Sequence, residues 1–193
     1  VLGGNFVGVM AFIGAMLVSF GVLILANIKG SANSSKLILS GMALSAVCSS
    51  FSNFIIYIAN DKTGMQTVSY WLLGSLAGAK WETDIIILPI VIIACLFFWS
   101  RYRVLNLMLL GDDVSITLGT DLHKPRHIYL IITSIMIGLS VYCAGVIGFV
   151  GLIIPHAVRM IFGTDHIKLI PISALVGSIF MIFADALSRI IIP

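Results

Sequence analysis

Charge is what this chain has least of. Only 10% of its 193 residues are Asp, Glu, Lys or Arg, while 60% are hydrophobic and the mean hydropathy is +1.14. A soluble domain carries about 25% charged residues, and a chain of this length cannot hide so much apolar surface inside one water-facing core. A soluble enzyme or binding module is thereby excluded. The net charge of +3 is small and its bases are scattered over loops. No basic patch interleaved with aromatics forms, so nucleic acid is excluded as a partner. Cysteine is scarce: Cys48, Cys95 and Cys143 lie far apart in apolar runs, with no pair at ligand spacing. They read as small buried hydrophobes, and neither a disulfide framework nor a metal site is expected. Also missing are a G-x-x-x-x-G-K phosphate loop, an acid pair within an apolar run, and any Ser–His–Asp set. The chain therefore reads as no enzyme and as needing no cofactor; any ATP hydrolysis coupled to it belongs to another chain. The apolar runs do not alternate with polar residues, which argues against an outer-membrane barrel.

What is present is a succession of continuous apolar runs. Crossing a bilayer by helix takes about 20 residues. The expected fold is all-α, a polytopic membrane helix bundle in one permease-like domain. Spans are expected over residues 6–28, 37–59, 84–100, 128–144, 149–162 and 171–192. A short interfacial helix is expected over 65–82, where Tyr70, Trp71 and Trp81 favour the membrane–water boundary. Pro89 is expected one turn inside its span and Pro171 in the first turn of the last, where proline costs least. Polar turns fall at 29–36, 60–64 and 163–169, and Gly145 to Gly148 interrupt the run between the fourth and fifth spans. Both ends of the sequence fall in or beside apolar segments, so a piece of a longer protein is expected.

Between two long runs sits a polar island, residues 101–127, RYRVLNLMLLGDDVSITLGTDLHKPRH. If this island is cytoplasmic and the spans alternate, eight bases lie inside: Lys29, Lys36, Arg101, Arg103, Lys124, Arg126, Arg159 and Lys168. Three lie outside: Lys62, Lys80 and Arg189. That bias follows the positive-inside rule. Within the island, Leu107, Leu110, Val114 and Leu118 recur at spacings of three and four, one apolar stripe on a short helix. Gly111 and Gly119 punctuate it, Asp112 suits a helix start, and two short helices divided at Gly111 or near Ser115–Gly119 are expected in the island. Such a stripe lies either in a groove of a partner protein or on lipid headgroups. The adjacent Asp112 and Asp113 argue against the anionic inner leaflet.

Two further sets of residues invite chemistry. In GVIGFVGLIIPHAVRMIFGTDHIK, glycines permit close backbone approach and Pro155 frees a carbonyl in the preceding turn. His156 and Arg159 share a helix face; the plainer reading of that histidine is a hydrogen-bonded structural residue. Asp165 and His166 are too few to make a metal site and read as a polar turn that helps shape a docking surface. Asp185, inside the last span, is a functional candidate by position. Arg189, one turn on, gives it a partner along the same helix face, which favours a structural pair.

These stretches also resemble a known family. The pattern L-G-D-D-x-x-x-x-L-G over Leu110–Gly119 is similar to the cytoplasmic coupling loop of FecCD-type permeases, the membrane subunits of type II ABC importers. G-F-V-G-L-I-I-P-H-A-V-R with G-T-D-H resembles the same family's signature segment, here including Gly148, Gly151, Pro155, His156, Arg159, Asp165 and His166. L-I-L-S-G-M-A-L-S, W-L-L-G-S-L-A-G-A-K-W and A-D-A-L-S-R extend the likeness over nearly the whole chain. The resemblance implies about ten spanning helices per complete chain, of which this one matches roughly the fourth to the ninth. It implies a homodimer, or a pairing with a related permease, in the cytoplasmic membrane of a bacterium or archaeon. It also implies an ATP-binding cassette subunit gripping Leu110, Gly111, Asp112, Asp113, Val114, Leu118 and Gly119, and a substrate-binding protein on the outer face. Substrates across the family are iron-siderophores, haem, cobalamin and, in some members, oxyanions. On that footing Asp185 has a second reading, contact with the docked binding protein or the mouth of the pathway. The rival function is an ion-gradient-driven secondary transporter or channel, which would use broken helices at mid-depth; Gly151–Pro155 fits that in part.

Overall fold

The computed structural model describes residues 3–28, 34–59 and 62–191. The first five residues of the expected 29–36 turn, Asn60 and Asp61, and the side chains of Tyr70, Trp71, Asp112 and Asp113 lie outside the described residues. Among the described residues there are nine helices and no strand: α1 (Gly3–Asn27), α2 (Ser34–Ala59), α3 (Lys62–Leu73), α4 (Trp81–Ser100), α5 (Tyr102–Leu109), α6 (Asp112–Thr117), α7 (His123–Ala144), α8 (Val150–Phe162) and α9 (His166–Ile191). The fold is all-α, as the apolar runs require. Five helices are long and apolar enough to cross a membrane: α1, α2, α4, α7 and α9. The run expected as a span over 149–162 forms only the 13-residue α8. At 1.5 Å per residue that is about 20 Å, short of a hydrocarbon core of about 30 Å.

The chain divides into two units, Val1–Ser75 with Asp121–Val146, and Leu76–Thr120 with Ile147–Pro193. In the first, α1 packs on both α7 and α2. The α1–α7 contact is reciprocal. A Cβ at Gly8 of α1 would stand 2.5 Å from the Tyr142 ring of α7, and one at Gly138 of α7 would stand 2.5 Å from the Phe12 ring of α1. Each helix offers a glycine notch to the other's aromatic ring, which brings the backbones close. The pairing of 8 with 142 and 12 with 138 makes the helices antiparallel. At the other end of the pair, Asn27 Nδ2 lies 3.3 Å from His127 Nε2. On the α2 side, Gly21 lies beneath Leu44.

In the second unit α8 and α9 form a helical hairpin. Ile154 and Val158 of α8 and Leu169 of α9 are buried together, flanked by Val150 and Ile172. The apolar positions of α8 recur every four residues, one stripe turned to α9. The third span starts earlier than its apolar content suggests, at Trp81 rather than Asp84, because Glu82 and Asp84 sit in its first turn. There a carboxylate meets the positive end of the helix dipole. The N–H groups of Thr83 and Asp84 donate to the Lys80 carbonyl, both at 3.0 Å. The interfacial helix expected over 65–82 accordingly ends at Leu73, and residues 74–80 are irregular. Pro89 lies nine residues into α4 rather than one turn in. Likewise α9 begins at His166, which puts Pro171 sixth in the helix instead of in its first turn. A proline there leaves the carbonyl four residues earlier without its helical donor.

Because a β-carbon at Gly138 must displace the Phe12 ring, Gly138→Ala in the full-length protein is expected to cost about 1–3 kcal/mol. Gly14→Ala, where nothing lies within 4 Å, is expected to stay within about 0.5 kcal/mol of wild type. Equilibrium denaturation in detergent distinguishes the two; equal costs would show that the notches do not hold α1 to α7.

Candidate functional site

The polar island is built as a corner. α5 ends at Leu109 and α6 begins at Asp112, with Gly111 between them at φ 90 and ψ 166. That backbone region is essentially closed to residues with a side chain, and the island is two short helices divided at this glycine, one of the two break points expected. Leu107 is half-buried on α5, whereas Leu110, Val114 and Leu118 are 54%, 45% and 60% exposed. The exposed three form an apolar edge on the break and on α6. Behind it Ser115 is fully buried. Its hydroxyl lies 2.8 Å from the Gly111 carbonyl and 3.0 Å from the Leu107 carbonyl, and its single proton serves both. The Ser115 carbonyl in turn accepts the Thr120 N–H at 2.9 Å, just after Gly119 closes α6 at φ 79. One hydroxyl thus ties the end of α5 to the start of α6. The Arg101 and Arg103 guanidiniums lie 5.8 and 5.7 Å from the Phe97 and Tyr102 ring centroids, their charges kept at the exposed end.

The second motif comes to the same place. Asn106 of α5 donates through Nδ2 to Asp165 Oδ1 at 2.8 Å. Its Oδ1 accepts the His166 N–H at 2.9 Å and lies 2.6 Å from His166 Nδ1. The carboxylate and the backbone N–H fix which end of the amide is which, so His166 carries its proton on Nδ1. Asp165 also accepts the Ile167 N–H at 3.2 Å. Two of the four N–H groups that open α9 are therefore capped, one by its own N-cap carboxylate and one from α5. One turn on, Pro171 leaves the Ile167 carbonyl free, and the Trp99 indole N–H of α4 donates to it at 3.0 Å. The turn itself needs Gly163, at φ 89. Since the island and this turn are within hydrogen-bond reach, they open on the same face of the membrane.

Other residues singled out in the sequence stand elsewhere. His156 is exposed on α8 and Pro155 half-buried within it. Arg159 is half-buried near the end of α8, its Nε buried without a partner among the described residues. Gly148 accepts the Val150 N–H at 2.8 Å across Phe149, whose φ of 65 is a strained γ-turn conformation. Asp185 and Arg189 pair at 2.9 Å along one face of α9. Among the described residues no three His, Cys, Asp or Glu side chains converge to hold a metal ion. Asn106 and Trp99, which reach the turn at 165–167, and Ser115, which braces the corner, escape a reading by motif.

The arrangement is that of a multi-pass membrane protein whose polar face is concentrated on one corner and one turn. The chain belongs to the FecCD transport family, which it matches over residues 1–193. It is 35% identical over 179 residues to the cobalamin import system permease protein BtuC of Halobacterium salinarum, covering 93% of this chain and 48% of that one. It is 35% identical over 182 residues to the hemin transport system permease protein HmuU of Yersinia pestis, covering 94% and 54%. Among solved structures, a metal-chelate type ABC transporter in an inward-facing conformation superposes with a TM-score of 0.80 at 27% identity, over 94% of this chain and 64% of that one. The chain spans about half the length of the curated relatives it matches.

Two measurements test this geometry in the full-length protein. Ser115→Val removes the shared hydroxyl and crowds a fully buried position, and Gly111→Ala strains the break; each is expected to cost about 1–3 kcal/mol and to expose 109–120 to protease. Ile116→Ala, at an exposed site, is expected to do neither. The second concerns acid. The Asn106 amide first, and then the Ile167 N–H, hold the Asp165 carboxyl below its usual range. A carboxyl so lowered stabilises the folded turn fully above its unfolded value of about 3.9 and loses that contribution as pH falls through the lowered one. Amide-exchange protection at His166 and Ile167 should hold from neutral pH down to that value and decline below it; loss already near neutrality would contradict the assignment.

Proposed function

We propose that this chain is the central part of the membrane permease subunit of an ATP-driven importer, and that the Leu110–Val114–Leu118 edge is where a separate ATP-binding cassette subunit docks. One observation carries the reading: the island and the 163–166 turn, distant in sequence, share one membrane face through Asn106. An exposed apolar edge at that face suits a protein partner better than bulk water. Asp112, Asp113, Gly111 and Gly119 complete the docking segment. The face is cytoplasmic, since most lysines and arginines fall on that side. The chain itself hydrolyses nothing. A substrate-binding protein docks on the opposite face, and a second copy or a related permease completes the pathway.

The substrate class is a bulky chelate: an iron-siderophore, haem or cobalamin. The relatives named for cobalamin and hemin import support it, as does the metal-chelate transporter of similar fold. So does the chemistry, since helix faces of Gly, Ser, Thr and apolar residues suit a ligand already wrapped by a chelator. A bare metal ion would call for carboxylate or imidazole ligands.

The test is co-purification of the full-length protein with its candidate ATP-binding subunit in detergent, beside a variant carrying Leu110→Asp, Val114→Asp and Leu118→Asp. Wild type is expected to retain the subunit stoichiometrically and the variant to lose it. A monodisperse wild type that captures nothing, together with uptake into vesicles that an uncoupler abolishes and ATP does not drive, would replace this reading with the gradient-driven one.

A further inference from the structure

We infer that Asn106 and Trp99 are positioning residues that make α9 the helix moved by the docked ATP-binding subunit. This rests on the docking reading above. The observations are geometric. The corner bearing the apolar edge is attached to the rest of its unit through α5, and α5 packs on α9. The polar link in that contact is the Asn106 amide, which holds both Asp165 and the first N–H of α9. Trp99 grips the same turn of α9 from the end of α4, three residues before α5 begins, through the Ile167 carbonyl that Pro171 leaves free. Two side chains on either side of Arg101 therefore hold the first turn of one long helix. A hydrogen bond to a helix terminus resists both sliding and rotation, because the N–H and C=O directions are fixed along the axis. Apolar contacts, such as that of Ile154 Cγ2, which would stand 3.9 Å from a Cβ placed at Gly177, let α8 and α9 slide instead. A displacement of the corner is thus passed to α9 as a rigid push.

The Asn106–Asp165 pair offers a test that separates transmission from folding. Asn106→Asp sets two carboxylates against each other. Adding Asp165→Asn exchanges the partners: the new amide donates to the carboxylate at 106, which still accepts from His166, while the Ile167 N–H, which shared Asp165 Oδ1 with Asn106, gives up its side-chain acceptor. The complex of full-length protein and ATP-binding subunit, freed of native cysteines, would carry a nitroxide on α9 through Ile179→Cys. Its collision accessibility would be measured with and without ATP plus vanadate. In the wild-type background the nucleotide is expected to change that accessibility. Asn106→Asp should reduce the change about tenfold, in the range of coupling between contacting side chains, and the exchanged pair should restore it to within about twofold. Trp99→Phe, which keeps the ring and removes only the N–H, should also diminish it. Capture of the ATP-binding subunit should persist in all four. An unchanged response in Asn106→Asp and Trp99→Phe, or no response in wild type with the subunit captured, overturns the inference while leaving the docking reading intact. Failure of wild type to capture the subunit overturns both.

Discussion

In an apolar surrounding no backbone N–H or C=O can be left without a partner, and water is not there to supply one. At three described departures from regular helix this chain supplies such partners from its own side chains. At the end of α5 the answer is the buried Ser115 hydroxyl. At the start of α9 it is the Asn106 amide together with the Asp165 carboxylate. Inside α9, where Pro171 removes a donor, it is the indole of Trp99. These three repairs are what bend the chain from membrane spans into a corner and a turn, and they fix the corner and the turn to each other.

Long apolar runs made the helical class and most of the spans legible from composition alone, because lipid admits few other solutions. Helix ends were harder to read, for the same reason that they matter. Trp81 and His166 begin helices earlier than hydropathy implies, since Glu82, Asp84 and Asp165 stabilise first turns that are polar. The stripe through Leu107, Leu110, Val114 and Leu118 has helical spacing, and Gly111, one of the two break points expected, divides it into two helices. Asp165 and His166 drew notice as part of a motif, but their partner did not. Asn106 is one polar residue in a polar stretch, and nothing local marks it as the cap of a helix 60 residues away. The same holds for Trp99. Pro171 announces a free carbonyl at Ile167, while the donor that takes it lies 68 residues back in the sequence.

Membership of the FecCD transport family gives these local arrangements a common setting. The first unit relies on shape, with glycines of α1 and α7 receiving each other's rings. The second relies on hydrogen bonds at its exposed end and on a small apolar cluster along α8 and α9. Close steric fit holds a pair of helices in one register, and directional bonds at one end hold a helix while leaving its length free. The two kinds of contact therefore suit a static frame and a mobile element respectively.

The shortness of α8 has its own consequence. Its last turn leads into Gly163 and the polar turn, so that end is at the membrane face. Running inward for about 20 Å, the helix stops near Val150 with roughly a third of the hydrocarbon thickness still ahead. Residues 145–149 must lie in that remaining layer, and they are not helical. Irregular backbone at such depth is tolerated only where protein covers it or water reaches it. The segment from Gly145 to Phe149 is therefore a point at which the lipid is kept away, and the assembled protein has to place either another helix or an aqueous chamber there.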